Sequence, residues 1–314
     1  MIPSRERSAA EPSRLWRAGS REILLDRPIV VGILNVTPDS FSDGGNFFSH
    51  ELAVAHAARM IAEGADIIDV GGESTRPGAT VVEEEEEIRR AVPVIREIRR
   101  QFPQIAISID TTKSCVAERA IKAGANVVND VSAFRLDPGM PAVVRDSGCG
   151  VILMHSRGGV EDMAGYTSAN YDGDVVATII DELVKSAEGA EAAGIERDRI
   201  AIDPGFGFSK LSSQSMSVLA RLDEMIVSGY PVIVGTSRKR FVTEAMLTAR
   251  DVVPGTLTAA ALPVQDRDVG TAALNVAAMM RGARIFRVHN VRVSRRALDA
   301  AWPVIMASSI VAPD

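Results

Sequence analysis

Residues 64–70 read GADIIDV, and the same device returns as GANVVN at 124–129 and GARIFR at 282–287. In each copy a glycine follows a helical segment, where it can take the left-handed conformation that stops a helix. Two residues later a short apolar run begins, and a polar side chain stands where a strand should end. One supersecondary unit repeated along the chain is the pattern expected of a barrel.

Working outward from these copies, eight apolar runs end in polar residues. They are IVVGIL before Asn35, ADIIDV before Glu73, IAISI before Asp110, NVV before Asn129 and Asp130, GVILM before His155, IAI before Asp203, VIVG before Ser237, and ARIF before Arg287 and His289. Helix-like segments separate them. In 83–101 the apolar residues Ile88, Val92, Ile95 and Ile98 recur at three- and four-residue intervals, giving one buried stripe. The acidic run Glu83–Glu87 reads as a solvated first turn favoured by the helix dipole. Segment 172–193 repeats the pattern with Val175, Val176, Ile179, Ile180 and Leu183. Buried strands alternating with amphipathic helices imply a parallel sheet covered on both faces. Eight such units predict an α/β fold, a closed (β/α)8 TIM barrel, with its site at the C-terminal strand ends. The polar residues that end the runs are therefore expected to converge on one pocket.

Trp16 to Pro28 reads as an N-terminal hairpin able to plug the other end of the barrel. Residues 1–14 are expected to be a disordered tail and 15–314 a single barrel domain. Three stretches are too rich in Gly, Pro, Ser and Asp for regular structure: 37–46, 71–80 and 156–172. All three follow strands, so they fall on the catalytic face, where long loops carry function.

The chain has 314 residues, 46% of them hydrophobic, and a formal net charge of −6. That charge offers no basic stripe, so no nucleic-acid partner is expected. Two cysteines, Cys115 and Cys149, without a CxxC pair argue against a disulfide framework and fit a reducing cytoplasm. No apolar run approaches a membrane span, and the N-terminus lacks the apolar stretch of a secretory signal.

Asp110 and Asp203 each follow an apolar run directly. A lone Asp there is as readily a loop cap, but two of them sharing a rim with Asn129 and Lys239 form a set able to read the donor–acceptor edge of a nitrogen heterocycle. At the other rim Arg76, Arg287 and His289 are cationic. Arg287 and His289 are separated by one residue, so on a strand both face the same side. Such a fork suits phosphate or pyrophosphate, although a surface salt bridge is the plain alternative. Ser237-Arg238-Lys239-Arg240 begins a helix, whose N-terminal amides add to the anion site. Asn35 offers a neutral oxygen of the kind Mg2+ takes sparingly, but by composition alone it reads as a cap or turn residue. Lys239 also admits a Schiff-base role, as in barrel aldolases. No G-x-S-x-G elbow marks a hydrolase.

These residues lie within longer strings. GILNVTPDSFSDGG (32–45) and GADIIDVGGESTRPGA (64–79) closely resemble the first two signatures of dihydropteroate synthase, and the match continues through SIDTTK (108–113), VNDVSA (128–133), LMHSRG (153–158), DPGFGFSK (203–210), GTSRKRF (235–241) and RVH (287–289). The resemblance covers residues 15–300. It implies a barrel that joins p-aminobenzoate to 6-hydroxymethyl-7,8-dihydropterin diphosphate, releasing pyrophosphate. It assigns Asp110, Asn129, Met154, Asp203, Phe206 and Lys239 to the pterin pocket, with Asp110, Lys239 and Arg287 catalytic. Thr75, Arg287 and His289 are assigned to the diphosphate, Asn35 to Mg2+, and Phe41, Arg76 and Pro77 to loops over p-aminobenzoate. No protein nucleophile is then needed, which turns Lys239 from a Schiff base into a pterin contact.

The chain departs from the family pattern in three places. Arg240 stands where Ser is common near the p-aminobenzoate carboxylate, and Ser156 where Met is frequent. Segment 251–264 is longer than usual. The retained STRPG string predicts sensitivity to sulfonamides. The alternatives are a methyltetrahydrofolate-type methyltransferase, which needs no diphosphate site, and a pterin-binding homologue without catalysis. The resemblance also implies a homodimer packed through C-terminal helices.

Overall fold

Three turns built alike set the rhythm of the computed structural model, which describes residues 13–37, 46–74, 81–248 and 262–308. Gly64, Gly124 and Gly282 have φ of 100°, 121° and 100°. Each glycine N–H donates to the carbonyl three residues back, and the following alanine N–H to the carbonyl five back: Ala65 to Met60, Ala125 to Ala120 and Ala283 to Ala278. This is the paired Schellman pattern, which satisfies the last carbonyls of a helix and turns the chain into a strand.

The chain opens with an antiparallel hairpin, β1 (Leu15–Ala18) and β2 (Arg21–Leu24). Eight parallel strands follow: β3 (Ile29–Asn35), β4 (Ile67–Gly71), β5 (Ala106–Asp110), β6 (Val127–Asp130), β7 (Gly150–Met154), β8 (Ile200–Asp203), β9 (Ile233–Val234) and β10 (Ile285–Val288). All eight fall on the apolar runs. They are separated by α1 (Asn46–Ala62), α2 (Glu84–Gln101), α3 (Ser114–Ala123), α4 (Met140–Ser147), α5 (Val175–Ala192), α6 (Ser212–Ala220), α7 (Leu222–Ile226), α8 (Arg240–Thr248) and α9 (Val264–Met280), and α10 (Val291–Ser308) ends the described chain. The sheet order is β8-β7-β6-β5-β4-β3-β10-β9. A parallel bridge between Ile202 and Val232 joins its two edges, so the ring closes as a (β/α)8 barrel.

Alternation along each strand divides the core in two. Val30, Leu34, Ile68, Val70, Ile107, Ile109, Leu153 and Phe286 point outward and pack with the helices. Val31, Ile67, Ala106, Val127, Ile152, Ala201, Ile233 and Ile285 point inward and form the floor of the barrel with Trp16, Ala18 and Leu25 of the hairpin segment. Trp16 is fully buried and its indole N–H donates to the Arg199 carbonyl at 3.0 Å. The expected plug is therefore present. Trp16→Ala is expected to cost about 3–5 kcal/mol, because it opens a cavity that the floor cannot fill. Chemical denaturation measures this, and a loss below about 1 kcal/mol would show that the plug contributes little.

The acidic run is only partly solvated. Glu84, Glu85 and Glu86 face solvent, but Glu87 is fully buried. It heads the inner stripe of α2, followed by Ala91, Val94, Ile95 and Ile98, and it accepts from Lys113 Nζ at 2.6 Å. Charge composition marked a solvated turn, while helical phase put one of its members inside. Among the described residues no helix is long and apolar enough to cross a membrane. Of the proposed tail, residues 1–12 lie outside the described set, and so does 251–261 of the segment noted as long.

Candidate active site

Above the apolar floor, the same inward positions become polar. Asp69 on β4, Ser108 and Asp110 on β5, Asn129 on β6, Asp203 on β8 and Arg287 on β10 follow the inward floor residues at two-residue steps, so all project into the barrel mouth.

Arg287 is the hub. Its Nε donates to Asp69 Oδ2 at 2.6 Å and its Nη2 to Asp110 Oδ2 at 2.6 Å. Asn129 Nδ2 donates to the same Asp69 oxygen at 3.2 Å. The sequence reading placed Arg287 at the rim opposite Asp110, with His289. The structure corrects this: the two are hydrogen-bonded, because ring closure puts β10 beside β3 and brings its inward arginine level with the carboxylates of β4 and β5. Asp69 is 1% exposed and escaped the sequence reading because it sits inside an apolar run. The signal that could have found it is phase: Asp69 is two residues beyond inward-facing Ile67.

Burial governs the electrostatics. It pushes the Asp110 carboxyl up to about 7; the Arg287 charge works against this, and the negative neighbour Asp69 adds to it. Burial pushes the Lys239 ammonium down to about 7, against the attraction of Asp203. Asp203 is likewise raised by burial and steadied by Lys239. For Arg287 burial opposes the charge, but Asp69 and Asp110 outweigh it and hold the guanidinium firmly protonated.

Lys239 precedes α8 in a turn whose Arg238 has φ of 58°. Arg238 is tied to α9 by Asp268, with Nε donating to Oδ1 at 2.7 Å and Nη2 to Oδ2 at 3.0 Å. Lys239 Nζ donates to the Phe206 carbonyl and lies 4.4 Å from the centre of the Phe208 ring. Phe206 itself departs from expectation. Its ring is fully buried and stacks on Phe241 with centroids 5.7 Å apart, in the shell outside the barrel. The aromatic face beside Lys239 is Phe208, which packs in a small cluster with Met154, Val131 and Met163. A turn rich in glycine carries no period from which to tell the two phenylalanines apart.

Several strand-end residues do not reach the mouth. His155 points outward, with Nε2 2.8 Å from Glu182 of α5 and Nδ1 2.8 Å from Lys210. Asp130 caps its own turn, accepting from Ser132 N and Phe134 N. Glu73 pairs with Lys113 at 3.0 Å. Each sits an odd number of residues from an inward neighbour, or beyond the strand.

At the rim, Asn35 ends β3 opposite Gly71, and a methyl group on Gly71 would lie 3.6 Å from both Asn35 Oδ1 and Asp110 Cβ. His289 is held by Ser237, whose hydroxyl accepts from the His289 backbone N–H at 3.1 Å and lies 3.0 Å from Nδ1. Arg240 stands on the N-terminus of α8 with its guanidinium 3.9 Å above the Tyr166 ring and 3.4 Å from Glu244. Phe41, Thr75, Arg76 and Pro77 lie outside the described residues. Among the described residues no group of three or more His, Cys, Asp or Glu could hold a metal. A hard cation here would have to rely on neutral oxygen such as Asn35 Oδ1 and on water or ligand phosphate. That donor set suits Mg2+, which keeps much of its shell from outside the protein.

A family model described as pterin binding enzyme matches residues 31–289. A dihydropteroate synthase from Staphylococcus haemolyticus is 44% identical over 262 residues, covering 83% of this chain and 89% of the relative. Among solved structures, dihydropteroate synthase from Xanthomonas albilineans with 4-aminobenzoic acid has a TM-score of 0.82 at 42% identity, covering 94% of this chain and 99% of that one. The Xanthomonas albilineans enzyme in complex with 7,8-dihydropteroate has a TM-score of 0.79 at 40% identity, covering 93% and 99%.

Proposed function

The chain belongs to the dihydropteroate synthase family of pterin-binding enzymes, and from that premise we propose that it joins p-aminobenzoate to 6-hydroxymethyl-7,8-dihydropterin diphosphate, giving 7,8-dihydropteroate and pyrophosphate. The observation that carries the reading is the gathering of Asp110, Asn129, Asp203, Lys239 and Arg287, buried or half-buried, in one barrel mouth. Carboxylates and an amide accept and donate along a heterocycle edge, and the guanidinium lies where an anion leaves.

In this reading the C–O bond between the pterin methylene and the diphosphate breaks, and the p-aminobenzoate nitrogen then bonds to that carbon and loses a proton. Asp110 accepts a pterin N–H and stabilises the electron-poor ring as the bond breaks. Asn129 and Asp203 hold the same ring, Met154 and Phe208 pack beside it, and Lys239 contacts its polar edge. Arg287, with two of its donors fixed by Asp69 and Asp110, keeps Nη1 for the departing diphosphate, and His289 adds a second donor. Asn35 would hold Mg2+, which supplies positive charge to the diphosphate when bound. Thr75 joins the diphosphate site, and Phe41, Arg76 and Pro77 with Arg240 cover p-aminobenzoate. No step asks for a protein nucleophile, so the Schiff-base reading of Lys239 falls away.

Two further parts of the reading concern assembly and place. Val264, Val269, Met280, Val304 and Met306 are large exposed apolar residues on α9 and α10, which supports a homodimer packed through these helices. A cytoplasmic location fits the free thiols Cys115 and Cys149.

The test is pyrophosphate release from the dihydropterin diphosphate with Mg2+, with and without p-aminobenzoate. Release that depends on p-aminobenzoate and yields dihydropteroate is expected, and a sulfonamide should compete with p-aminobenzoate. Binding of the pterin without release would favour a non-catalytic pterin-binding protein, and methyl transfer from a methylated folate would favour the methyltransferase.

A further inference from the structure

Lys210 is 1% exposed and has no part in the chemistry above. Its ammonium is nevertheless fully bonded. Nζ lies 2.8 Å from His155 Nδ1 and donates to the carbonyls of Phe208 at 3.0 Å, Gly205 at 3.1 Å and His155 at 3.3 Å. An ammonium has three protons, and these four acceptors saturate them. The Glu182 carboxylate, 2.8 Å from Nε2, can only accept, which places the imidazole proton on Nε2 and leaves Nδ1 to accept from Lys210 Nζ. Burial keeps that imidazole neutral, pushed down to about 4. Burial and the Lys239 charge pull the Lys210 ammonium well below its ordinary value, while the carboxylates of Asp203 and half-exposed Glu182 work against them.

The backbone that Lys210 fastens is unusual. Between Asp203 and Lys210, Gly205, Gly207 and Ser209 have φ of 67°, 71° and 47°. The glycines take such angles freely, but Ser209 keeps its positive φ only where the surroundings hold it. A Cβ on Gly205 would lie 2.0 Å from the His155 carbonyl oxygen. Ser209 is stitched to the β7–α5 loop: its N–H donates to the Met163 carbonyl at 2.7 Å, and Tyr171 donates to its carbonyl at 3.0 Å. This segment carries the Asp203 carboxylate, with Gly205 N–H donating to its Oδ1 at 2.7 Å. It also carries the Phe206 carbonyl and the Phe208 ring, both at Lys239.

We propose that Lys210, with His155 and Glu182 behind it, is a positioning residue for pterin recognition: it clamps the Asp203–Ser209 backbone so that Asp203, the Phe206 carbonyl and Phe208 stay aimed at Lys239 and the pterin ring. The inference rests on the synthase reading. Lys210 never meets substrate; it acts through the shape of the segment. Losing it leaves the Phe208 and His155 carbonyls and an imidazole nitrogen without that donor, while the Gly205 carbonyl keeps only the Phe208 N–H, and the segment relaxes away from Lys239.

The test is steady-state kinetics of the full-length enzyme with Lys210→Met and Glu182→Gln, beside a control, Ile98→Val, in the helix shell at α2. Wild-type release dependent on p-aminobenzoate first secures the underlying reading, independently of the variants. Lys210→Met is then expected to raise KM for the pterin diphosphate roughly tenfold or more while KM for p-aminobenzoate stays within about twofold. Glu182→Gln, which removes the charge that His155 Nε2 and Arg157 share, should raise the same KM by about two- to threefold. The control should shift neither, even where its melting temperature falls. If Lys210→Met moves both KM values equally, or no more than the control does, the clamp is merely structural and the proposal is overturned. If Lys210→Met fails to fold, Glu182→Gln decides, and a wild-type pterin KM in that variant overturns it too.

Discussion

Replacing Asp110 by Asn is expected to lower kcat/KM for the pterin diphosphate by about a hundredfold to a thousandfold, the range seen when one preorganised charge-stabilising group is lost. The fold should survive, because the amide oxygen of Asn can still accept from Arg287 Nη2, now 2.6 Å from Asp110. What vanishes is the negative charge facing the ring, and with it the stabilisation of an electron-poor pterin. The amide also offers N–H where the ring offers N–H.

The variant carries a pH signature that a packing defect would not. With burial raising Asp110 to about 7, the carboxylate is lost as pH falls through 7, so wild-type kcat/KM should drop on the acid side. With burial lowering Lys239 to about 7, the ammonium is lost as pH rises through 7, so activity should drop on the alkaline side. The wild-type profile of the free enzyme is therefore a narrow bell centred near 7. Asp110→Asn should erase the acid limb and leave the alkaline one, and Lys239→Met should do the reverse. A wild-type profile flat from pH 5 to 9, about two units either side of the buried pair, would rule out both assignments.

Arg287→Met is expected to cost about 3–5 kcal/mol of stability, the cost of breaking a buried pair from one side. It leaves Asp69 and Asp110 close together without the cation that both contact at 2.6 Å. Asp69 Oδ1 is already buried without a partner among the described residues, so no reserve exists to absorb the loss. The sign of the pH dependence follows. Without the guanidinium, the Asp110 carboxyl is raised further above its unfolded value, so the folded variant binds its proton more tightly than the unfolded chain. Its stability should then rise as pH falls from 8 towards 5, whereas a cavity alone would be indifferent to pH. Thermal melts of variant and wild type across that range measure it, and a constant gap between them would contradict the account.

Arg287 also illustrates where reading a sequence stops. Its type and its phase were visible, since Arg287 and His289 are two residues apart and both sit on the inner side. Its partner was not, because contact with Asp69 and Asp110 spans 218 and 177 residues and exists only once the ring closes. Phe206 and Phe208 show the same boundary at short range. Both stand in DPGFGFSK, and which ring faces Lys239 depends on positive φ values at Gly205, Gly207 and Ser209.

Local rules were enough for the barrel and for the end of it that carries the site. Helix-stopping glycines, short apolar runs and amphipathic stripes are nearest-neighbour chemistry, written residue by residue, and they predicted eight strands, a hairpin plug, and a polar mouth containing Asp110, Asn129, Asp203, Lys239 and Arg287. Tertiary structure alone sorted those polar residues. It turned His155, Asp130 and Glu73 away from the mouth, drew Asp69 in, and buried Lys210 beneath the Asp203 segment. The reason is physical: a strand end exposes alternate residues to two different environments, and which environment is the pocket is set by ring closure and burial, neither of which any stretch of sequence contains.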